Sequence, residues 1–339
     1  VRYTDLTAAV KIDRTVTTTP SDKFNAQGYA LEVTTEVYVM DSSGVEKFSR
    51  KTFTQNENID NRGDAAVQKV TSWATDDLGA LVQVTYQELT NREFDSQRNV
   101  KNQKVLTYDA AGGVVLDVQE VRNISFHSSG VALKQIIATY NNDVEWKLLD
   151  VKVIENSVID SSGNVGVSVI TKYASASIAD LGIGMITPTL GSEIDRQTIT
   201  TSSFDLRGNA RSQSILSEYW TGAAFSFSEF KDILNDPYDI HDRTNKSVIT
   251  SYTTASRTAV LSKEEVYYDA YDKFGNALSQ RVDTYIPDGA GVLTLKDHKV
   301  ITNVYENVTA QRRGNATLTE VVRYTDLTAA VKIDRTVTT

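Results

Sequence analysis

The sequence predicts an all-β chain, folded as a continuous antiparallel meander of hairpins. Three observations carry that reading. First, a turn motif recurs, an apolar residue followed by Asp, two variable residues and Gly. It stands at Met40-Asp41 to Gly44, Ile59-Asp60 to Gly63, Tyr108-Asp109 to Gly112, Ile159-Asp160 to Gly163, Phe204-Asp205 to Gly208 and Tyr271-Asp272 to Gly275. The Asp carboxylate caps the turn amides, and Gly takes the left-handed conformation of a type I turn closed by a bulge. Second, an aromatic residue follows the turn Gly by ten positions at Trp73, Tyr140, Tyr173, Tyr285 and Tyr324. An even spacing keeps such residues on one strand face. Third, the intervening segments are rich in Val, Ile and Thr and tend to alternate, and the whole chain has four prolines to interrupt them.

Taken in order, successive turns fall close together. Gly44 to Gly63 is 19 residues, Gly63 to Gly79 is 16, Gly112 to Gly130 is 18 and Gly275 to Gly291 is 16. Asp76 to Gly79 and Asp288 to Gly291 keep the turn and lose the aromatic. The 33-residue gaps, Gly79 to Gly112 and Gly130 to Gly163, each have room for one degenerate turn. Units that share their boundary residues in this way give a β-strip or solenoid-like array, with no linker between small domains. Two stretches break the rhythm and are expected as insertions, at about 174–200 and 221–245. In the second, Ser228 to Leu234 reads as a short helix stopped by Pro237.

The chain ends add a longer period. Residues 322–339 repeat residues 1–18 letter for letter, an offset of 321. The expected organisation is one full repeat unit over 1–321 and the start of the next over 322–339, with both ends in mid-pattern and no leader segment. One period holds 32 basic and 42 acidic residues, so each added unit brings a net charge of −10 and keeps neighbouring assemblies apart. A covalent array accounts for the identity directly; a terminal strand donated between separate chains is the other route to a fibre.

Composition narrows the function. A net charge of −9 argues against nucleic acid or an anionic lipid surface as partner, and no apolar run reaches membrane-spanning length. Cysteine is absent, which removes disulfides, zinc-thiolate sites and thiol nucleophiles. His127 occupies the Asp position of a turn, Phe126-His127 to Gly130, and His298 is expected on a solvated strand face. His241 lies within the densest group of ligand-type side chains, and Asp232, Asp236, Asp239 and Asp242 form the single weak Ca²⁺ candidate, although their spacing fits no established loop. No catalytic triad or phosphate-cradling loop is found, so no catalysis and no other cofactor are expected. Asn123, Asn245, Asn307 and Asn315 begin Asn-x-Ser/Thr sequons, the expected sites of any covalent glycan.

Phe204-Asp205-Leu-Arg-Gly208-Asn209 and Tyr271-Asp272-Lys-Phe-Gly275-Asn276, with Tyr108-Asp109 to Gly112, resemble the YD-repeat (RHS-like) class of bacterial surface and secreted proteins. The resemblance implies a spiralling β-strip placed outside the cell, in a surface structure or a toxin shell. The functional expectation is a structural unit of a long extracellular or cell-surface filament whose main partner is itself. The alternatives are a tandem β-domain adhesin, which would show units of about 100 residues, and the shell of a secreted toxin.

Overall fold

Antiparallel pairing of neighbouring strands organises the computed structural model, which describes residues 1–3, 11–76, 79–109, 112–178 and 182–339. The middle residues of the turns Asp76 to Gly79 and Asp109 to Gly112, most of the first copy of the terminal repeat (4–10) and part of the first expected insertion (179–181) lie outside the described residues. Twenty strands belong to antiparallel sheet and two more form a separate pair. The chain divides into two units, Val1–Thr75 with Leu81–Thr198 and Tyr219–Ser226, and Asp76–Ala80 with Ile199–Glu218 and Phe227–Thr339.

In the first unit the strands run β1 (Arg2–Tyr3), β2 (Lys11–Thr18), β3 (Glu32–Met40), β4 (Glu46–Ile59), β5 (Ala65–Thr75), β6 (Leu81–Phe94), β7 (Val100–Tyr108), β8 (Val115–Phe126), β9 (Ala132–Tyr140), β10 (Leu148–Ile159) and β11 (Val165–Tyr173). Each pairs antiparallel with the next. Register carries one apolar row across the ladder: Leu106 faces Val118, Val118 faces Tyr140, and beside them Ala138 faces Val151. These five side chains form the buried core with Ile136 and Ile186. Ile186 comes from the small pair β12 (Ala176–Ile178) and β13 (Ile186–Pro188), inside the stretch expected as the first insertion. Its apolar segment thus closes one sheet face, removing Ile186 almost wholly from water.

β14 (Glu193–Phe204), β15 (Ala210–Trp220) and β16 (Phe225–Asn235) hold residues of both units. The second unit continues with β17 (Lys246–Tyr252), β18 (Val260–Tyr271), β19 (Ala277–Pro287), β20 (Leu293–Val304), the short helix α1 (Val308–Arg313), β21 (Leu318–Tyr324) and β22 (Lys332–Thr338). From β16 onward each strand again pairs with its successor. Ser228 to Leu234, expected as helix, is part of β16. Phe230 faces Tyr252 and Ile233 faces Ile249 across to β17, and this cross-strand apolar pairing overrides a local pattern that suited either structure. Among the described residues the one α-helix is α1, where Asn307 caps the N-terminus through Ala310 N and Gly314 closes the C-terminus at φ 68°.

Candidate functional site

With no catalytic constellation foreseen, the parts of this molecule that recur define its candidate site. Five of the expected turns, all of their residues described, close as the motif implies. Gly44 N donates to Asp41 O, Gly63 N to Asp60 O, Gly163 N to Asp160 O, Gly208 N to Asp205 O and Gly275 N to Asp272 O, all at 3.0–3.1 Å. In each of these turns the Asp Oδ1 accepts two further turn amides. The loop after Asp109 is one residue longer: Asp109 N donates to Val114 O and Asp109 Oδ1 accepts Val114 N, with Gly112 left-handed at φ 71°. Hydrogen-bond donors hold the carboxylates of Asp41, Asp60 and Asp160 below their usual range, led by the Ser43 hydroxyl, the Asp64 backbone amide and the Asn164 side-chain amide respectively.

The two long gaps do conceal turns. In the first, Arg98 replaces Gly, with φ 70°, and donates its amide to Asp95 O. In the second, residues 141–147 form a wider loop closed by Asn141 N to Lys147 O, with Trp146 left-handed. His127 fills the turn Asp position as expected, its Nδ1 2.9 Å from Ser129 Oγ.

Alternate turns differ in a way the sequence does not announce. A Cβ on Gly44, Gly79, Gly112 or Gly291 would meet nothing within 4 Å. Gly28, Gly191 and Gly222 are equally open, whereas the turns at Gly63 and Gly163 and the helix cap at Gly314 each meet a neighbour. A Cβ on Gly63 would lie 2.7 Å from the Tyr29 ring, on Gly163 3.3 Å from Val131, and on Gly314 3.2 Å from Asn276. In each case the neighbour is the residue just after the turn one full hairpin earlier. Polar bonds tie the same turns together: Tyr29 Oη to Asn61 O (2.8 Å), Arg62 to Asp95 O (3.0 Å) and Arg98 Nε to Asp64 Oδ1 (2.6 Å) in the first unit. In the second they are Arg207 to Asp239 O (2.7 Å), Arg243 to Asp272 O (3.3 Å) and Asn276 to Gln311 O (2.5 Å).

Beside this stack runs a chain of side-chain amides. Asn56 donates to Ala30 O and accepts from Gln68; Gln68 accepts from Asn91; Asn91 donates to Ala65 O and accepts from Gln103. These bonds, 2.7–3.1 Å long, link β4, β5, β6 and β7 in one line, as Asn/Gln ladders do in stacked β structures. Asn123 repeats the arrangement with Val100 O and Gln135, and Asn235 with Ala210 O and Ser247. A groove of about 590 Å³ lies along it, lined by Tyr29, Asn56, Gln68, Asn91, Phe94 and Arg98 among others. Sequence reasoning passed over these amides. Their signal was an Asn twelve residues before a Gln, at 56/68, 91/103 and 123/135.

A second polar cluster lies in the first unit. Glu120 is fully buried, accepting from Arg92 at 2.7 and 2.9 Å and from Arg122 at 2.9 Å. Arg122 Nε and Asn102 Nδ2 reach the carbonyls of Gly184 and Gly182, clamping the chain before β13 to the sheet. Such a triad is costly to desolvate and specifies one docking geometry.

The remaining candidates are dispersed. Asp232 is engaged by Ser214 and Tyr252, Asp236 by Arg211, Asp239 by Arg243, and Asp242 by Asn209 and Arg207. The four carboxylates thus serve separate bonds, and among the described residues no group of three or more His, Asp or Glu side chains is placed to hold a metal. His298 is not on a solvated face: it is 5% exposed, with Nδ1 2.6 Å from Asp283 Oδ1 and the ring against Tyr324. The neighbouring strands β19 and β21 both cover it, which alternation along β20 alone does not reveal. Of the sequon residues, Asn245, Asn307 and Asn315 are exposed, while both amide atoms of Asn123 are committed to the ladder.

No protein-family model matches the chain, and no curated protein does. Solved structures give distant likenesses. A Tc holotoxin pore of Photorhabdus luminescens aligns over 96% of this chain and 25% of its own, at 10% identity and TM-score 0.13. Two crystal structures of TcdB2-TccC3 align over 92% and 89% of this chain, at 10% and 12% identity and TM-score 0.11. The chain spans about a quarter of those proteins' length, and likeness at this level carries no argument about what the chain does.

Proposed function

We propose that this chain is a structural repeat unit of a long extracellular or cell-surface filament, built from tandem near-identical units of 321 residues and performing no catalysis. The observation that carries the reading is the common strand pairing of the described residues in the two terminal copies. Arg2 faces Asp13 and Tyr3 faces Lys11 at one end; Arg323 faces Asp334 and Tyr324 faces Lys332 at the other, each residue displaced by 321. Arg2 and Arg323 each bond their facing Asp, through Nε at 2.8 and 2.9 Å. A sequence that re-forms one hairpin in one register can carry the ladder from unit to unit without a linker. The turn stack and the amide ladder suit the role, since tension along such an array falls on many parallel hydrogen bonds at once.

The test is a chain of two periods, residues 1–321 followed by 1–339. Limited proteolysis is expected to spare the junction, and negative-stain microscopy is expected to show twice the contour length of one period. Rapid cleavage at the junction into two stable halves would refute the continuous array and favour separate domains, as in an adhesin. Asn245, Asn307 and Asn315 are the proposed glycan carriers, and intact-peptide mass spectrometry of source material showing all three unmodified removes that part.

A further inference from the structure

Two tyrosines and a glutamate converge in the first unit. Tyr86 on β6 and Tyr108 on β7 face each other directly across the strand pair. Their ring centroids are 5.5 Å apart with the planes at 53°, inside the range of packed aromatic pairs. Glu88 stands two residues along β6 from Tyr86 and so shares its sheet face. One carboxylate takes both hydroxyls: Tyr86 Oη donates to Glu88 Oε1 at 2.9 Å and Tyr108 Oη to Glu88 Oε2 at 3.2 Å. The hydroxyl ends of the two rings, and with them the ring carbons ortho to each hydroxyl, are therefore drawn to one point. Tyr86 is buried there and Tyr108 half-buried. Lys69 faces Glu88 from β5, but its ammonium bonds Glu57 at 2.7 Å, which leaves the Glu88 carboxylate to the two phenols.

Related pairs in the same chain lack one part or another of this arrangement. Tyr38 also donates to a Glu two residues away, Glu36, and Tyr267 to Glu265, at 2.9 and 3.0 Å. The Tyr38 ring packs on Phe48, which has no phenolic proton to lose, and Glu265 is held by Lys246 and Lys263. Tyr268 and Tyr271 stack at 5.6 Å, yet Tyr271 Oη donates to the Thr244 carbonyl, which accepts a hydrogen bond without being a base.

We propose that Tyr86 and Tyr108 form a covalent cross-linking site, joined ring to ring by a one-electron oxidant of the peroxide class, with Glu88 as the proton acceptor. Burial first, and the Glu88 carboxylate after it, push both phenols up to about 12. Each therefore starts neutral and sheds a proton as it loses an electron. Glu88 takes that proton through the hydrogen bond already in place and passes it to water, once for each ring. The two phenoxyl radicals, held in contact, pair their electrons in a single C–C bond between ortho carbons. The hydrogen on each bonded ortho carbon then moves to its oxygen, which restores both phenols. The pair has given up two protons and two electrons, and the electrons cleave the oxidant's O–O bond. The product ties β6 to β7 in a chain that has no cysteine for a disulfide. It forms within one chain and does not depend on units being joined in tandem.

The test uses the full chain at low concentration, oxidised by persulfate under visible light with tris(bipyridine)ruthenium(II). Trypsin then frees the two rings on separate peptides, 70–92 and 105–122, in which Tyr86 and Tyr108 are the sole tyrosines. Mass spectrometry is expected to show these peptides joined, at the sum of their masses less two hydrogens, as the main linked product. Glu88→Gln keeps an acceptor for the hydroxyls and removes the base. Its initial rate of 86–108 linking is expected to fall about a hundredfold, the low end of what a positioned proton acceptor contributes. In the unchanged chain that rate is expected to exceed linking of Tyr268 to Tyr271 by about tenfold or more. Recovery of both peptides unlinked, once other tyrosines of the chain have been oxidised, overturns the proposal, as does an unchanged rate in a folded Glu88→Gln chain. If Glu88→Gln unfolds, as read by circular dichroism, the comparison within the unchanged chain decides, and equal rates for the two tyrosine pairs overturn it.

Discussion

Gly63 probes the turn stack directly because Gly44 supplies its control. Both hold a left-handed backbone, at φ +86° and +77°, and both donate their amide to the turn Asp. A Cβ on Gly44 enters open space, whereas on Gly63 it would sit 2.7 and 2.8 Å from two Tyr29 ring carbons and 3.1 Å from the Arg98 guanidinium. The ring has little room to yield, since its hydroxyl is bonded to Asn61 O at 2.8 Å. A left-handed L-residue costs about 1–2 kcal/mol, which is the whole expected cost of Gly44→Ala. Gly63→Ala carries that cost plus overpacking of about 1–3 kcal/mol, for a total of about 2–5 kcal/mol. Urea unfolding followed by far-UV circular dichroism measures both, and hydrogen exchange at the amides of residues 61–64 locates the loss. In a Tyr29→Ala background the cost of Gly63→Ala is expected to drop to that of Gly44→Ala, a coupling of about 1–3 kcal/mol. Equal costs for the two glycines, or no relief on removing Tyr29, would refute the stack.

Other perturbations separate the remaining elements. Asn91→Ala strands the Ala65 carbonyl and the Gln103 amide at a site only 4% exposed, so a loss of about 1–3 kcal/mol is expected; Asn245→Ala, on the surface, is expected within about 0.5 kcal/mol of the unchanged chain by the same denaturation. Glu120→Ala leaves Arg92 and Arg122 facing each other unpaired, with an expected loss of about 3–5 kcal/mol and early proteolytic cleavage near 182–184. Lys246 and Lys263, with the Tyr267 hydroxyl, hold the Glu265 carboxyl down to about 2. A carboxylate depressed in the folded state adds stability that is complete above its ordinary value of 4.5 and is lost as pH falls toward 2. Exchange protection of β17 and β18 is therefore expected to fall across that window in the unchanged chain and to vary less in Glu265→Gln.

The turns were legible because each is a local device. Asp60 and Gly63 need nothing beyond their own five-residue loop to form, and Asp-x-x-Gly states it. The gap between Gly79 and Gly112 implied a hidden turn without showing its chemistry. Arg98 accepts a left-handed backbone there because its side chain is held by Asp64, which is 34 residues away. Ser228 to Leu234 was misread for the opposite reason: Phe230, Ile233 and Leu234 suit a helix face, and only β17 shows that they line a strand. His298 was misplaced because its burial comes from β19 and β21, neither of which marks β20 itself.

The sequence by itself determined the all-β class, the positions of the turns and the identity of the two terminal segments. Those follow from backbone preferences acting within a few residues and from a literal repeat. Only the tertiary structure decided that alternate turns stack and that asparagine and glutamine side chains link four strands into one line. Each of these depends on which segments come to lie side by side, and pairing across 30 or more residues is set by the whole ladder's register rather than by any stretch within it.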